Sequence, residues 1–312
     1  MDYLKAAGKA VFNDQFVTKA DVLLHSAETA NHSIGLIGVP LSKSSISHSG
    51  ASFSPTVIRR MLQSFTTYCS SSEIDLVNSL ITDFGDVVMH ATDITESQSR
   101  IKSTIEKILI DHQPNHMIIL GGDHSISFPS IAAFSKQSKV GVIQFDAHHD
   151  LRNLDDGGPT NGTPFRSLIE GNYIEGKNLV QIGIRDFMNS KAYSDYAKEK
   201  GVKVFTVQDV QTKSIELIVK EAIDYLSREV DMIYLSVDVD VLDQAFAPGC
   251  PAIGPGGLDS ATLLKAIEIV SSCSLVKAID IVEIDPTIDF RDMTSKMAAY
   301  IILTFLKNVG KN

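Results

Sequence analysis

Three side chains that can bind a metal stand at alternate positions after an apolar run near the middle of the chain. Residues 142–145 are rich in β-branched and aromatic types, which predicts a buried strand, and Asp146, His148 and Asp150 follow. Because alternate residues of a strand share a face, we expect these three side chains on one face. Burying carboxylates is costly unless a cation neutralises them. The stretch indicates a metal site, although hydrated charges at a strand end would also explain this one motif.

Two further apolar runs end in residues of the same chemistry. Residues 117–120 lead into a Gly-Gly-Asp-His motif, and residues 233–237 lead into an Asp-Val-Asp motif. In open parallel sheets, ligands bind beyond the carboxyl ends of the strands, so the three sets can converge. The pooled ligands are His124, Asp146, His148, Asp150, Asp238 and Asp240.

Two imidazoles and four carboxylates are too many ligands for one tetrahedral zinc ion. They suit two divalent ions about 3.5–4 Å apart, bridged by carboxylates and a water molecule. The oxygen-rich set without thiolate favours Mn²⁺ over Zn²⁺. A structural role for the whole set would leave buried acids without a partner, which is costly.

The elements that must position these residues follow an alternating pattern. Strands are predicted at 33–40, 80–86, 117–120, 142–145, 178–184, 201–206, 232–240 and 274–285. Helices are predicted at 93–111, 125–134, 214–228, 260–270 and 291–306. Strands that alternate with helices imply an α/β fold with a parallel sheet covered on both faces. Residues 1–32 show no strand pattern and are expected to form an N-terminal arm, and the Ser-rich loop 42–49 is a candidate lid.

The length and composition limit the classes of protein to which the chain can belong. The chain has 312 residues without a linker or repeat, which predicts one domain over residues 1–312. The net charge is −10, and no basic run suggests nucleic acid. The sequence shows no signal peptide and no apolar stretch that would span a bilayer. Three cysteines form no framework, so a cytoplasmic location is expected.

The motifs together resemble the ureohydrolase (arginase and agmatinase) superfamily. The matching pieces lie at 121–124, 146–150, 236–240 and 282–286, and their order and spacing match from about residue 33 to 309. Segment 155–166 is most similar to formimidoylglutamases. The resemblance implies a three-layer α/β/α fold with a mainly parallel central sheet. It also implies two Mn²⁺ per chain and a homo-oligomer.

The resemblance further implies roles for individual residues. One Mn²⁺ would be held by His124, Asp146, Asp150 and Asp238. The other would be held by Asp146, His148, Asp238 and Asp240. Asp146 and Asp238 would then bridge the ions, and the bridging hydroxide would attack a trigonal C=N carbon. Asp150 would carry the proton of the attacking water to the departing nitrogen, and Glu283 would pair with the cationic N–C–N group of the substrate.

Three positions depart from arginases. Where arginases have a His-Gly pair, this chain has Asn161-Gly162. Where arginases have an Asn that contacts the substrate, this chain has Arg152, and an Asp that binds the substrate amine in arginases is replaced by Met188. An amine-binding acid is thus lost and a carboxylate-binding cation is gained, since Arg pairs with carboxylates in bidentate fashion. We therefore expect Arg152, Asn161 and Glu283 to contact substrate.

Four other residues have open roles. Arg166 and Arg291 could bind a second carboxylate, but a salt bridge is at least as good an explanation for each. His149 should face away from the ligands, yet it could replace the missing imidazole if the strand end twists. Cys250 lies in a loop after a metal strand and could be near the site.

The resulting hypothesis is a hydrolase that converts N-formimidoyl-L-glutamate and water into L-glutamate and formamide, a step of histidine degradation. The substrate has two carboxylates, no free amine and an amidine, which fits the exchanged positions. One alternative is another ureohydrolase that releases urea from agmatine, arginine or a guanidino acid. An alternative of another class is a catalytically silent metal-binding protein.

Overall fold

A sheet of nine parallel strands forms the centre of the computed structural model, which describes residues 14–309. Its strands are β1 (Leu24–Ser26), β2 (Ile34–Gly38), β5 (Ile81–Asp86), β6 (His116–Leu120), β7 (Val140–Phe145), β8 (Leu179–Ile184), β9 (Lys203–Thr206), β10 (Met232–Asp238) and β11 (Val276–Val282). Their spatial order is β1-β5-β2-β6-β11-β10-β7-β8-β9. All neighbours in this order pair in parallel, so the predicted parallel sheet is confirmed.

Helices cover both faces of the sheet. The helices in the described part of the chain are α1 (Ser54–Met61), α2 (Ile94–Asp111), α3 (Ser127–Phe134), α4 (Pro164–Glu170), α5 (Lys191–Glu199), α6 (Val207–Lys213), α7 (Ile215–Leu226), α8 (Ser260–Ser271) and α9 (Met293–Val309). Helices α2 to α5 pack against one face and α1 and α6 to α9 against the other. The predicted three-layer α/β/α architecture is therefore confirmed.

Two hydrophobic cores, one on each face, hold the layers together. Along β6, Met117 and Ile119 face the core under α2 and α3, whereas Ile118 and Leu120 face the core under α1 and α9. Because both faces are covered, the central strands are buried at every position and read as continuous apolar runs.

The chain changes direction across the sheet between β6 and β7. These two strands follow each other in sequence, yet β11 and β10 lie between them. Such a switch opens a crevice beyond the carboxyl ends of the strands. The carboxyl ends of β6, β11, β10 and β7 therefore lie side by side at this crevice.

The segment before β2 differs from its prediction. Residues 24–26 form β1, which pairs with β5 at the sheet edge, although no strand was predicted there. Ala20 and Leu23 of the preceding 3-10 turn are fully buried. A three-residue strand is too short to show a periodicity, so only the tertiary pairing reveals it. Residues 1–13 of the expected arm lie outside the described residues, and the single domain stays a prediction.

Two smaller differences concern local structure. The helix predicted at 214–228 is confirmed as α7, whereas α6, directly before it, was not predicted; Ser214, with φ +74°, separates the two helices. A short antiparallel hairpin, β3 (Tyr68–Cys69) and β4 (Ile74–Asp75), was not predicted. None of the described helices combines the length and the apolarity needed to cross a bilayer.

Candidate metal centre and active site

The ligands after β7 are presented by a turn rather than by a strand. β7 ends at Phe145, so the expected alternation of Asp146, His148 and Asp150 along one strand face is wrong. The chain instead bends at residues 147–148, and Asp150 adopts φ +51°. A left-handed conformation is costly for a residue other than glycine and is often found at functional sites. The turn, and not the pleat, brings these side chains together.

Hydrogen bonds fix the orientation of Asp146 within this turn. Its Oδ1 accepts the backbone N–H of His148 at 2.5 Å, and its Oδ2 accepts the Nε2 of Gln144 at 2.7 Å. Gln181 on β8 in turn donates to Gln144 Oε1 at 2.7 Å. A relay of two glutamines therefore holds a fully buried carboxylate in place, and sequence reasoning did not identify it.

His124 lies at the centre of the first group of ligands. Its Nδ1 is 3.0 Å from Asp146 Oδ2, 2.9 Å from Asp150 Oδ2 and 3.1 Å from Asp238 Oδ2. All four residues are buried or nearly so, and Nδ1 makes no hydrogen bond of acceptable geometry to any described residue. A single proton on Nδ1 could serve one of these three oxygens, whereas a metal ion accepts all four donor atoms at once.

The second group lies beside the first and shares a carboxylate with it. His148 Nδ1 is 2.7 Å from Asp240 Oδ2 and 3.5 Å from Asp146 Oδ1. Candidate donor atoms within each group lie within 4.8 Å of one another. Asp146 belongs to both groups, but Asp238 belongs only to the first, so its predicted role as a second bridge stays a prediction. The donor set thus fits a binuclear metal site.

The pKa shifts of these groups indicate that the cluster favours added positive charge. Burial raises the pKa of Asp150 to about 6, and the charge of Asp146 adds to this effect. Burial and the adjacent Asp240 raise the pKa of Asp238 well above its usual range. Burial opposes a charge on His124, but the surrounding carboxylates outweigh it and raise the pKa of that imidazole. Each shift favours added positive charge, which protons or metal ions can supply.

A buried network behind His124 fixes which ring nitrogen is free. His124 Nε2 lies 2.9 Å from Ser236 Oγ, and that hydroxyl donates to Asp280 Oδ1 at 2.8 Å. Since the hydroxyl gives its proton to Asp280, it accepts the Nε2 proton of His124, so Nδ1 is the nitrogen without a proton when the imidazole is neutral. Ser127 and Tyr234 donate to Asp280 Oδ2 at 2.6 and 2.9 Å. Such partners of metal-binding histidines set the tautomer and the ring orientation.

Asp280 was missed by sequence reasoning. It is fully buried, and burial raises the pKa of its carboxyl group. The only signal in the sequence is one acid in the middle of the apolar strand β11. Its three hydroxyl partners come from other segments, so the sequence alone does not pair them.

Glu283 follows directly after β11 and faces the same crevice. It is 2 % exposed and adopts φ +61°. Its Oε1 accepts the backbone N–H of His124 at 2.9 Å and the Nδ2 of Asn161 at 3.0 Å. Its Oε2 is buried and has no hydrogen-bond partner among the described residues. Burial, aided by Asp123, raises the pKa of Glu283 to about 8.

Asn161 connects Glu283 to the Ser-rich loop. Besides its bond to Glu283, its Oδ1 accepts the backbone N–H of Ile46 at 3.0 Å, and its Nδ2 lies 3.3 Å from Ser45 Oγ. The loop is also tied to the floor of the site, because Ser44 Oγ donates to Asp123 Oδ2 at 2.9 Å. The candidate lid 42–49 is therefore attached on two sides, and the amide of Asn161 is engaged by protein atoms. Its predicted contact with substrate stays a prediction.

Arg152 lies on the same loop as Asn161 and is exposed. It forms no ion pair with any carboxylate in residues 14–309, and its aliphatic stem packs over Gly162. Arg166, by contrast, pairs with Glu170 at 2.6 Å and stacks 3.8 Å from the centroid of Tyr196. The salt-bridge explanation thus holds for Arg166, and Arg152 has a free guanidinium near the crevice.

The remaining candidates are His149, Cys250 and Arg291. His149 faces away from the ligands, with Nδ1 2.7 Å from Gln181 Oε1 and Nε2 3.1 Å from Ser194 Oγ, so both ring nitrogens are engaged. Cys250 is 1 % exposed, and burial, with the nearby acids of the metal cluster, raises the pKa of its thiol. Arg291 is exposed and forms no ion pair with a described residue.

One buried cation outside the predicted set shapes the rim of the site. Arg185, at the end of β8, donates to the backbone carbonyls of Asp240, Leu242 and Gly254. It thereby fixes the Pro- and Gly-rich loop after β10 against the second group of ligands.

The chain thus combines an α/β/α fold with a His/Asp cluster that fits a binuclear metal site at the switch point of its parallel sheet. The model of the arginase family matches residues 32–307, and the chain belongs to this family.

Relatives with known names extend over nearly the whole chain. A formimidoylglutamase from Halalkalibacterium halodurans is 58 % identical over 300 residues, which covers 96 % of this chain and 94 % of that one. A formimidoylglutamase from Bacillus subtilis is 47 % identical over 309 residues, covering 98 % and 97 %. Its crystal structure superposes with a TM-score of 0.96 and covers 100 % of this chain and 97 % of that one.

A formiminoglutamase from Trypanosoma cruzi, solved with Mn²⁺, has the same fold. The TM-score is 0.82 at 22 % identity, and the alignment covers 91 % of this chain and 95 % of that one. The arginase-like fold implied by the motifs is confirmed.

Proposed function

We propose that this protein is a binuclear-manganese hydrolase that cleaves N-formimidoyl-L-glutamate to L-glutamate and formamide in histidine degradation. The observation that carries the proposal is the intact, buried His/Asp centre in a chain that is 58 % identical to a formimidoylglutamase over nearly its full length. The carboxylate-rich donors favour Mn²⁺.

Six residues would hold two metal ions, and their geometry supports this role. One ion would be held by His124, Asp146, Asp150 and Asp238. The other would be held by Asp146, His148, Asp240 and, as the resemblance implies, Asp238. When bound, the two ions would supply Lewis acidity and lower the pKa of water toward neutrality.

Glu283 is suited to orient an amidine. Its Oε1 is held by two donors, while Oε2 has no partner and can accept an N–H of a cationic N–C–N group. The buried carboxyl group has a pKa of about 8, so a cationic substrate would favour its charged form. Asp150 lies 2.9 Å from His124 Nδ1, within the same cluster, and would transfer a proton to the leaving nitrogen.

Arg152 would bind a carboxylate of the substrate. Its guanidinium has no carboxylate partner among the described residues, and its loop also carries Asn161, which contacts Glu283. A substrate that is cationic at one end and anionic at the other would pair with Glu283 and Arg152. Bidentate pairing of arginine with a carboxylate supplies both attraction and orientation.

The test is product analysis with Mn²⁺-loaded protein offered N-formimidoyl-L-glutamate, arginine and agmatine separately. Glutamate and formamide from the first substrate alone are expected. Urea from arginine or agmatine would identify the protein as another ureohydrolase with the same metal chemistry. A purified protein that binds no metal and turns over none of the three would be the catalytically silent alternative.

The setting of the enzyme is part of the proposal. We propose a cytoplasmic homo-oligomer that acts on a small molecule and binds neither nucleic acid nor membrane. The net charge of −10 supports the absence of a nucleic-acid partner.

A further inference from the structure

Asn189 lies beyond the carboxyl end of β8, next to the turn that carries His148. Its Oδ1 accepts the backbone N–H of His149 at 2.8 Å, and its Nδ2 donates to the backbone carbonyl of Ala147 at 2.9 Å. The side-chain amide therefore bridges the backbone on both sides of His148. Because an N–H only donates and a carbonyl only accepts, these two partners also fix the orientation of the amide.

This amide continues the pairing of two neighbouring strands. Both β7 and β8 have ended at this point, but the backbone N–H of Arg185 still donates to the carbonyl of Ala147 at 3.0 Å. In a parallel sheet, a residue donates to the residue before its neighbour and accepts from the residue after it. The amide of Asn189 makes the same two bonds around His148. A side chain thus takes the place of the peptide unit that a longer β8 would supply.

The turn that brings Asn189 back to the ligands is strained. Phe187 adopts φ +62°, a left-handed conformation that is costly for a residue other than glycine. Its ring is fully exposed, so packing of this side chain does not offset the cost. Backbone strain of this kind is often found where it serves a functional site.

The backbone that Asn189 holds belongs to the second group of ligands. Ala147 is fully buried, and its N–H donates to Asp240 Oδ1 at 2.9 Å. Asp240 Oδ2 in turn lies 2.7 Å from His148 Nδ1. A shift of residues 147–149 would therefore move one donor directly and another through its hydrogen bond.

We propose that Asn189 is a positioning residue for the second metal ion, because it fixes the backbone on both sides of His148. The inference rests on the binuclear site of the proposed function. Supports behind metal ligands contribute strongly to metal affinity, so we expect loss of this amide to weaken one binding event roughly tenfold or more. The event at the group around His124 should change little.

Calorimetric titration of the chelator-stripped, full-length protein with Mn²⁺ tests the proposal. Asn189→Leu keeps the branched shape of the side chain and removes both hydrogen-bonding groups. Asp240→Ala removes a donor of the second group and identifies the event that belongs to it. Asn308→Leu is the matched control, because Asn308 is also half-buried and its amide donates to the backbone carbonyls of Glu268 and Thr304. It should leave both events at the parent affinity.

Electron paramagnetic resonance gives a second readout, which a loss of stability alone does not change. For the parent loaded with two equivalents of Mn²⁺, we expect the signal of two magnetically coupled ions. For Asn189→Leu at the same metal concentration, the signal of isolated ions should dominate.

The outcomes separate this proposal from the proposed function. Weakening of the event that Asp240→Ala also weakens, with the other event unchanged, supports the role of Asn189. Parent affinities in Asn189→Leu, equal weakening of both events, or the same loss in Asn308→Leu overturn that role and leave the binuclear site intact. A parent that binds fewer than two Mn²⁺ refutes the binuclear site itself and this role with it. If Asn189→Leu does not fold, the smaller Asn189→Ala is measured in its place.

Discussion

The buried acid behind the metal centre makes a sharp prediction. Asp280→Asn keeps the size of the side chain but replaces one oxygen with a donating NH₂ group. In the native protein, Oδ2 accepts two hydroxyl protons and Oδ1 accepts one, from Ser236. The asparagine oxygen satisfies most partners if it takes the Oδ2 position, so the NH₂ group faces Ser236. That serine must then accept from the amide and give its own proton to His124 Nε2.

The consequence is a change of tautomer at a metal ligand. With Nε2 accepting, the proton of His124 moves to Nδ1, the atom that faces three carboxylates at 2.9–3.1 Å. A protonated Nδ1 cannot coordinate a metal ion. Loss of such a partner typically costs 10–100-fold in metal affinity, which is about 1.4–2.8 kcal/mol. The free energy of unfolding should fall by a further amount of about 1.5–3 kcal/mol, since a hydrogen bond to a charged group is lost.

The assay is a calorimetric titration of chelator-stripped protein with Mn²⁺, together with a metal count by mass spectrometry. One of the two binding events should weaken 10–100-fold, while the event at the group around His148 should change little. Ser271→Ala is a suitable control, because it removes a buried hydroxyl that donates to Ile267 O, far from the metals. It should reduce stability without changing metal affinity. Unaltered Mn²⁺ binding by a folded Asp280→Asn variant would refute the tautomer argument.

Three further predictions concern the crevice. Asn161→Ala removes one of the two donors to Glu283 Oε1 and one link to the loop 42–49. We therefore expect kcat/KM to fall about tenfold or more in steady-state assays. An unchanged kcat/KM would mean that Glu283 does not need this hydrogen bond. Arg152→Ala should raise KM sharply and leave the amount of bound metal unchanged. Arg166→Ala is the control, because Arg166 pairs with Glu170, and it should leave KM near the parent value. Equal effects of the two substitutions would disprove selective binding of the substrate carboxylate by Arg152. The pKa values of Asp150 and Glu283 are raised to about 6 and 8, so the metal-free fold binds more protons than the unfolded chain and loses stability as pH rises from about 4 to 8. Melting temperatures of chelated protein should therefore fall across this range, and a rise would contradict the shifts.

The sheet and the position of the site could be predicted because each depends on a repeated local pattern. Three apolar runs lead into acids and imidazoles, and the carboxyl ends of parallel strands share one edge. The convergence of these residues follows without knowledge of any contact. The edge strand β1 could not be predicted, since three residues show no period and β1 exists only because β5 offers a free edge.

The detailed geometry of the site could not be predicted from the sequence, for a different reason. The alternation argument placed Asp146 and Asp150 on one strand face, and they do meet, but through a turn with a left-handed residue. A spacing of two residues does not distinguish these cases. Asp280 was missed because its hydroxyl partners lie far away in sequence. Gln144 was missed although Asp146 is only two residues away, because the distant Gln181 orients its side chain. Their value depends on hydrogen bonds that form only after the sheet is assembled.

The same features explain why this site should be coupled to the stability of the whole fold. Asp150, after β7, and Glu283, after β11, both adopt left-handed conformations, and each costs about 1–3 kcal/mol. Burial also raises the pKa of both carboxyl groups, so the metal-free centre carries electrostatic strain in addition to backbone strain. The two cores on either side of the sheet must supply the stability that holds this arrangement. Metal ions that bind only the folded chain would offset the cost, and chelation should lower the melting temperature more at pH 8 than at pH 5, where protons already neutralise part of the cluster.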